Sequence, residues 1–215
     1  MATPWKVPSN LWKNRTVLIL ASGPSLLSLL PAIRQRRADV HAVAVNSTGI
    51  PTPDDYGRVI PAAAPWADML YAADSSWWSR YQQEALSFPG LKVTASDNAF
   101  SATKYLHPTG TEGFDPHPGF IRTGGNSAYQ AMHIAAQAGA SRILLCGVDL
   151  HSNSGIHHHG RHPYPLRNPA ESEFILMRSR FKTFPAKKLG IEVLNCSPGS
   201  MLECFPKVEI EEALS

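Results

Sequence analysis

The chain has 215 residues, the length of one ordinary domain, and its formal net charge of +3 is too small to favour nucleic acid as a partner. Hydrophobic residues make up 43% of the sequence and charged residues 17%, a balance that supplies a core and excludes a disordered chain. No apolar run approaches the roughly 20 residues of a membrane span, and the N-terminal segment lacks the apolar centre of a signal peptide. We therefore expect a single domain over residues 1–215, located in the cytoplasm.

Short apolar runs alternate with amphipathic segments along the chain, beginning at residues 16–21. This run is too short for a buried helix and rich in β-branched residues, so it predicts a strand covered on both faces. Further strands are predicted at residues 41–46, 66–73, 91–95, 141–147 and 191–195. Helices are predicted to begin near Pro24 and to cover residues 77–86, 128–139, 171–189 with a break at Pro185, and 207–214. This order predicts an α/β, Rossmann-like fold with a mostly parallel sheet and helices on both faces.

Two long segments, residues 96–121 and 151–169, interrupt this order and are rich in Gly, Pro, Asn and His. Connections of this length in a compact domain usually serve a site. We expect both to lie above one edge of the sheet, with residues 151–169 forming a histidine-rich lid.

Small and polar residues follow the predicted strands, at the edge where the carboxyl ends of parallel strands meet and ligands bind. The nucleotide-binding site is therefore predicted at Ser22, Gly23, Ser25, Asn46, Asp74, Gly147 and Asp149, together with Thr123, Gly124, Gly125 and Asn126 at a helix start. Residues 22–25 and 123–126 each combine small residues with a helix N-terminus, a pattern in which free N–H groups can hold a phosphate. Either segment could also be an ordinary turn. Neither a GxGxxG fingerprint nor a P-loop is present, which disfavours classical dinucleotide and P-loop sites.

Four of the nine histidines lie close together, at positions 157, 158, 159 and 162. Histidine can act as a general acid or base near neutral pH, or as a metal ligand. The spacing of His157, His159 and His162 could supply metal ligands, although no cysteine is nearby and the carboxylate partner would have to be Asp149. A solvated lid is the third interpretation. We predict a general base and no bound metal, with His159 and His162 as the leading candidates and His157 as the third.

Several of these motifs occur together in one known superfamily. Gly23-Pro24-Ser25-Leu26, Asn46, residues 123–126, Gly147-Val148-Asp149 and residues 195–202 resemble the bacterial family-42 sialyltransferases. The same frame is similar to the MptE-like proteins, which include archaeal 6-hydroxymethylpterin pyrophosphokinases and the central domain of flagellin glycosylation accessory factors. The resemblance covers most of the chain. Small phage and prophage proteins share these motifs and are also similar in residues 155–168.

The sialyltransferase resemblance implies a modified Rossmann-like domain that binds a cytidine nucleotide sugar without a metal. The nucleotide contacts that it implies are Ser22, Gly23, Ser25, Asn46, Thr123, Gly124 and Gly125. It also implies a histidine base in the segment that residues 157–162 occupy. The pyrophosphokinase resemblance implies instead ATP and Mg²⁺, with Asp74 and Asp149 as the metal ligands. Asp74 stands where the sialyltransferases usually have asparagine, and it favours this alternative.

Three functions follow from these observations. The first is a glycosyltransferase-like enzyme that uses a nucleotide-activated sugar, with a CMP-sugar preferred, a histidine base and no cofactor. The second is a Mg²⁺-dependent transfer of diphosphate from ATP to a small alcohol, and the third is a nucleotide-binding protein without catalytic activity. The expected partners are a nucleotide or nucleotide sugar and an unidentified acceptor, and the chain could also form a homo-oligomer.

Overall fold

A computed structural model describes residues 2–53, 57–97 and 102–215 of the chain. The strands found there are β1 (Thr16–Leu20), β2 (His41–Val45), β3 (Thr52–Pro53), β4 (Val59–Ile60), β5 (Met69–Ala72), β6 (Leu91–Thr94), β7 (Lys104–Tyr105), β8 (His107–Pro108), β9 (Phe120–Ile121), β10 (Arg142–Cys146) and β11 (Glu192–Asn195). The helices are α1 (Leu26–Gln35), α2 (Ser75–Arg80), α3 (Gln82–Leu86), α4 (Ser127–Gln137), α5 (Glu171–Phe181), α6 (Ala186–Leu189) and α7 (Ile210–Ala213). No helix in these ranges is long and apolar enough to cross a bilayer.

Seven strands form the central sheet, in the order β11-β10-β1-β2-β5-β6-β7, and every neighbouring pair is parallel. Strand β1 lies between β10 and β2, with Leu18 opposite Leu144 of β10 and Ala42 of β2. The remaining strands form two short pairs, β3 with β4 antiparallel and β8 with β9 parallel. The prediction of an α/β fold with a mostly parallel sheet is therefore confirmed.

The central strands are buried on both faces because their side chains alternate between two hydrophobic cores. Val17 and Ile19 of β1 pack in the core that contains α4, whereas Leu18 and Leu20 pack in the core that contains α1. Helix α4 is buried at every residue from 128 to 135. Helices therefore cover both faces of the sheet, as predicted.

Two predicted helices are each divided in the structure. Residues 77–86 span parts of α2 and α3, because the backbone leaves the helical conformation at Tyr81 while its ring is buried in the core. The helix predicted over residues 171–189 ends at Phe181 rather than continuing to Pro185. Proline has no backbone N–H and disfavours a helical conformation in the residue before it, so the break comes earlier than predicted.

The first long segment was expected above the binding edge, whereas its described part, residues 102–121, extends along α4 from the start of the helix to its last turn. It contains β7, β8 and β9 and runs along α4, where the Gln137 side chain donates to the carbonyls of Asp115 (3.0 Å) and Phe120 (2.7 Å). Pro116 and Pro118 border a second cavity with Asn14, which precedes β1. These polar contacts hold residues 115–120 beside the last turn of α4, so the prediction is wrong for this part of the segment, whereas Gly110 and Thr111 lie at the start of the helix. Residues 98–101 of the predicted segment lie outside the described residues.

Candidate functional site

A cavity of about 500 Å³ opens at the carboxyl edge of the central sheet. The residues that follow β1, β2, β5 and β10 line it, together with the start of α4, helix α5 and residues 156–169. The predicted site residues that line this cavity are Ser22, Gly23, Asn46, Asp74, Gly125, Asn126, Gly147, Asp149, His157 and His162. Ser25, Thr123, Gly124 and His159 lie outside its lining. One cavity thus brings together residues more than a hundred positions apart in the sequence.

The turn after β1 requires glycine because it touches the turn after β10. The Gly23 N–H donates to the Gly147 carbonyl at 2.8 Å. A Cβ atom on Gly23 would lie only 2.6 Å from Cγ of Asp149 and closer still to the Gly147 oxygen. Gly23 therefore allows the ends of two neighbouring strands to pack together at the cavity wall.

Ser25 contacts Asp149 instead of the cavity. Its backbone N–H donates to Asp149 Oδ2 at 3.0 Å, and its hydroxyl donates to Oδ1 of the same carboxylate. Asp149 is buried, so these bonds satisfy a charged group that would otherwise be costly to bury. The prediction of free N–H groups in residues 22–25 is corrected at Gly23 and Ser25, because both amides are hydrogen-bonded within the protein.

The backbone N–H groups just before α4 are also hydrogen-bonded within the protein, contrary to the prediction from the sequence. The N–H groups of Thr123 and Gly124 donate to the carbonyls of Gly110 and Thr111, each at 2.8 Å. Gly124 has a left-handed backbone (φ +57°), and a Cβ there would collide with the Tyr129 ring. Position 124 therefore requires glycine for a structural reason, and the prediction that the N–H groups of Thr123 and Gly124 are free is wrong.

Asn126 begins α4 as its N-cap. Its side-chain oxygen accepts from the N–H groups of Ala128 (2.8 Å) and Tyr129 (3.2 Å), so these helix amides are also satisfied internally. Gly125 and Asn126 reach the cavity wall, with Gly125 again left-handed (φ +63°). An anion bound in the cavity near the start of α4 would consequently be contacted mostly by side chains rather than by backbone N–H groups.

Two further predicted residues lie where β2 and β5 end. Asn46 has a left-handed backbone (φ +52°), which asparagine tolerates better than most residues. Asp74 precedes α2 without capping it through its side chain, and desolvation by the surrounding cavity wall raises the pKa of its carboxyl. Beside it, Trp77 is almost fully buried and donates from its indole nitrogen to Ser47 at 3.3 Å. Asp74 is thus a polar group beside an aromatic wall.

His157, His159 and His162 form a compact group that we call the histidine cluster. One ring nitrogen from each lies within 4.8 Å of the corresponding atoms of the other two. The ring centroids of His157 and His159 are 5.1 Å apart, and those of His157 and His162 are 4.4 Å apart. Three imidazoles separated by up to five positions in the sequence therefore face one another.

The histidine cluster is buried, and part of its hydrogen-bonding capacity is unused. The atoms His157 Nε2, His159 Nε2 and His162 Nδ1 are inaccessible to solvent and have no hydrogen-bond partner among the described residues. Burial, with the repulsion of neighbouring charges, lowers the pKa of His157 to about 3 and of His159 to about 2, and burial lowers that of His162 to about 4. The three rings are consequently neutral at pH 7.

The turn after β1 anchors the segment that carries the histidine cluster. The His157 Nδ1 atom lies 2.8 Å from the Ser22 hydroxyl, and the His158 N–H donates to the Ser22 carbonyl at 2.7 Å. The His158 ring points elsewhere, with its Nε2 3.4 Å from the Thr48 hydroxyl. Residues 157–162 therefore lie against the strand ends, as expected of a lid over this edge.

Helix α5 contributes residues that the sequence analysis missed. Phe174 and Met177 line the cavity, and Arg178 donates to the Leu150 carbonyl at 2.7 Å, where Leu150 has a left-handed backbone (φ +55°). Arg180 lies against Gly125, where a Cβ atom would collide with its guanidinium. The sequence predicted this helix but gave no signal of which face would meet the cavity, because that depends on how α5 packs.

No family model matches the sequence, and no curated protein matches it. Among solved structures, the chain is similar to the MAf glycosyltransferase from Magnetospirillum magneticum AMB-1, with 13% identity and a TM-score of 0.58. That alignment covers 97% of this chain and 36% of the other, so the chain spans about a third of that protein's length.

The chain is also similar to the sialyltransferase CstII from Campylobacter jejuni, whose structure was determined in complex with cytidine-5'-monophosphate as a substrate analogue. The identity is again 13%, the TM-score is 0.54, and the alignment covers 91% of this chain and 85% of the other. Identity this low establishes a shared fold and does not transfer a ligand or an activity. The resemblance to the sialyltransferase superfamily inferred from the sequence is therefore confirmed at the level of the fold.

Proposed function

We propose that the protein is a glycosyltransferase-like enzyme that binds a nucleotide-activated sugar, preferably a CMP-sugar, in the cavity at the carboxyl edge of the sheet. The observation that carries the proposal is the position of this cavity in a fold shared with a sialyltransferase that binds cytidine-5'-monophosphate. Its volume of about 500 Å³ lies within the usual range for pockets that enclose a small organic ligand.

The cavity wall has the mixed chemistry that a nucleotide requires. Trp77, Phe174 and Met177 supply apolar surface, while the Ser22 hydroxyl and the Asn46 amide supply groups that can hydrogen-bond. Most backbone N–H groups of residues 22–25 and of the start of α4 are already hydrogen-bonded within the protein. We therefore propose that side chains recognise the ligand.

Arg180 is a cation next to the start of α4, just outside the residues that line the cavity. Its guanidinium lies beside Gly125, with Nη1 3.5 Å from the Gly124 carbonyl, and its buried Nε has no partner among the described residues. Arginine presents several N–H donors to phosphate oxygens in a fixed planar geometry. A modest turn of this side chain could bring it to a phosphate bound against Gly125.

In the proposed reaction, an acceptor hydroxyl oxygen forms a bond to the anomeric carbon of the sugar. The bond from that carbon to the nucleotide phosphate oxygen breaks, and the phosphate leaves with the electron pair. The acceptor proton passes to a base in the lid. His157 and His162 are the two predicted bases that line the cavity, whereas His159 is not part of its lining. Their low pKa values make free imidazoles in this position weak bases.

The Mg²⁺-dependent alternative receives less support from the geometry. Both oxygens of Asp149 accept hydrogen bonds from Ser25, so this carboxylate would have to exchange them for a metal. Asp74 remains available at the cavity wall, but one carboxylate does not make a diphosphate-transfer site.

A thermal-shift screen with and without Mg²⁺ tests the proposal, using CMP, CDP, UDP, GDP, ATP and S-adenosylmethionine. Binding to the folded state raises the melting temperature in proportion to the logarithm of ligand concentration over Kd. We expect stabilisation by CMP without Mg²⁺. Stabilisation by ATP only in the presence of Mg²⁺ would support the alternative, and no stabilisation by any nucleotide would contradict both.

Two glycine variants locate the site. Gly125→Ala places a methyl group on the cavity wall and displaces Arg180, whereas Gly199→Ala adds the same strain in open space, since Gly199 is also left-handed (φ +71°) with nothing near its Cβ position. We expect Gly125→Ala to weaken CMP binding at least about tenfold, equivalent to the roughly 1.4 kcal/mol that one or two lost polar contacts supply. Gly199→Ala should retain the wild-type affinity. Equal affinities in the two variants would remove the start of α4 from the binding site.

A further inference from the structure

We propose that His157, His159 and His162 bind one divalent transition-metal ion of the zinc class. All three ligands belong to the lid, and two of them, His157 and His162, are also the candidate bases that line the cavity, so a ring nitrogen that holds the ion cannot at the same time accept the acceptor proton. This metal site also replaces the earlier expectation that the protein binds no metal.

The geometry of the three ring nitrogens carries the inference. One ring nitrogen of each histidine lies within 4.8 Å of those of the other two, and each ring also carries one buried nitrogen without a hydrogen-bond partner among the described residues: His157 Nε2, His159 Nε2 and His162 Nδ1. Buried polar atoms in proteins are normally paired, so one unpaired nitrogen on each of three neighbouring rings requires an explanation. A cation accepting a lone pair from each nitrogen would satisfy all three together.

Ser22 supplies a second feature of a histidine metal site. In such sites the ring nitrogen that does not bind the metal usually forms a hydrogen bond that fixes the ring orientation. The Nδ1 atom of His157 lies 2.8 Å from the Ser22 hydroxyl, which leaves the unpartnered Nε2 as the nitrogen available to a metal. The ring is therefore held in the position that a ligand needs before any ion arrives.

The donor set indicates the class of metal. Imidazole nitrogen suits zinc, copper, nickel and cobalt, whereas Mg²⁺ and Ca²⁺ prefer oxygen ligands, and no carboxylate belongs to this cluster among the described residues. Three histidines leave room for a fourth ligand such as water in tetrahedral coordination. Because His157 and His162 also line the cavity, the ion would lie at the boundary between the lid and the cavity.

Such an ion would cross-link the lid to itself across residues 157–162 and, through Ser22, to the turn after β1. Metal binding is coupled to the order of the segment that carries the ligands. We therefore expect the metal-loaded protein to melt at a higher temperature and to protect residues 157–162 from proteolysis.

The test uses the full chain without a histidine tag, freed of metal with a chelator and titrated with Co²⁺ at pH 7.5. Tetrahedral Co²⁺ gives visible d–d absorption, and Zn²⁺ should abolish this signal by displacing the cobalt. We expect one Co²⁺ per chain. Because losing a residue that only orients a ligand costs about 10–100-fold in affinity, each of His157→Ala, His159→Ala and His162→Ala should weaken binding at least about 100-fold.

His158→Ala is the matched control. His158 lies in the same segment and has a pKa lowered by similar burial, but its ring contacts Thr48 and is not part of the cluster. This variant should bind Co²⁺ with wild-type affinity, and the metal-free melting temperature of every variant verifies its fold. Absence of a stoichiometric Co²⁺ signal in the wild type would overturn the proposal, as would equal loss of affinity in His158→Ala. No nucleotide enters this experiment, so its outcome is separate from that of the nucleotide screen.

Discussion

The Asp149 carboxylate, at the carboxyl end of β10, accepts hydrogen bonds from both the backbone N–H and the hydroxyl of Ser25, which precedes α1. The two residues are 124 positions apart in the sequence. Their contact joins the ends of neighbouring strands at the cavity wall and fixes the turn between β1 and α1. Asp149 therefore has a structural role at the site whether or not it also contacts a ligand.

This relationship predicts different effects for two substitutions of Asp149. In Asp149→Asn, the amide oxygen can still accept from the Ser25 N–H, and the Ser25 hydroxyl can rotate to accept from the amide nitrogen. In Asp149→Ala, both Ser25 donors lose their acceptor in a part-buried position. We expect Asp149→Ala to lower the free energy of unfolding by about 2–3 kcal/mol and Asp149→Asn by about 1 kcal/mol, measured by urea denaturation.

Ser25→Ala provides the reciprocal measurement. It removes the hydroxyl contact but retains the backbone N–H donor, so its cost should lie between those of the two Asp149 variants. An equal loss of stability in Asp149→Asn and Asp149→Ala would show that the negative charge itself is required. A metal or a ligand cation at Asp149 would then become the better explanation.

Because the turns after β1 and β10 approach each other closely, we expect replacement of Gly23 by alanine to destabilise the fold. Gly23→Ala would force a methyl group against the Gly147 carbonyl and the Asp149 carboxylate, neither of which can move without separating the strand ends. We expect a loss of about 3 kcal/mol in the free energy of unfolding, at the upper end of the range for overpacking. Circular dichroism during urea denaturation measures it.

Gly113→Ala is the comparison for this variant. Gly113 has a left-handed backbone (φ +77°) and open space at its Cβ position, so its replacement introduces conformational strain without a steric clash. Strain of this kind costs roughly 1–2 kcal/mol. If Gly23→Ala were no more destabilising than Gly113→Ala, the contact between the two turns would not be tight in solution.

The parallel sheet was predictable because its strands are short, apolar and rich in β-branched residues. Residues 16–21 show this pattern clearly, residues 141–147 are apolar with Ile143 as the β-branched residue, and each strand lies within the predicted run. The topology also places their polar ends at one edge, which is why Ser22, Gly147 and Asp149 line the same cavity. Local patterns and the geometry of parallel sheets were sufficient for this part of the site.

The partners of individual groups could not be predicted, because they depend on long-range contacts. Nothing near Gly124 indicates that Tyr129 occupies the space beside it, or that Thr111 accepts from its N–H. Likewise, the position of residues 102–121 depends on polar contacts with α4, including those of Gln137. The spacing of the histidines suggested a cluster, but only the folded lid shows that His157, His159 and His162 come together while the His158 ring contacts Thr48.

The burial of His133, in α4, predicts that acid lowers the stability of the fold through a residue outside the candidate site. The ring is fully buried, its Nε2 lies 3.0 Å from the Asp115 carbonyl, and its Nδ1 accepts from the Arg122 N–H at 3.3 Å. Burial lowers the pKa of His133 to about 4, and the Arg122 charge adds to this effect while Asp115 opposes it. Protonation of Nδ1 would also place two N–H donors against each other.

Because the pKa of His133 is lower in the folded state than the value of about 6.5 in an unfolded chain, the unfolded state binds more protons between pH 6.5 and 4. The stabilising effect of neutral His133 is complete above pH 6.5 and is lost progressively as the pH falls toward 4. From pH 7.5 to pH 5 this group should reduce the free energy of unfolding by about 2 kcal/mol.

Urea denaturation of the wild type and of His133→Gln measures this loss. The variant should be less stable at pH 7.5, and its free energy of unfolding should fall by about 2 kcal/mol less on acidification. The other buried histidines titrate in both proteins, so the difference between them isolates His133. Between pH 7 and 8 the stability difference should remain constant, and a wild type and variant with the same pH dependence would show that His133 is not held neutral by the fold.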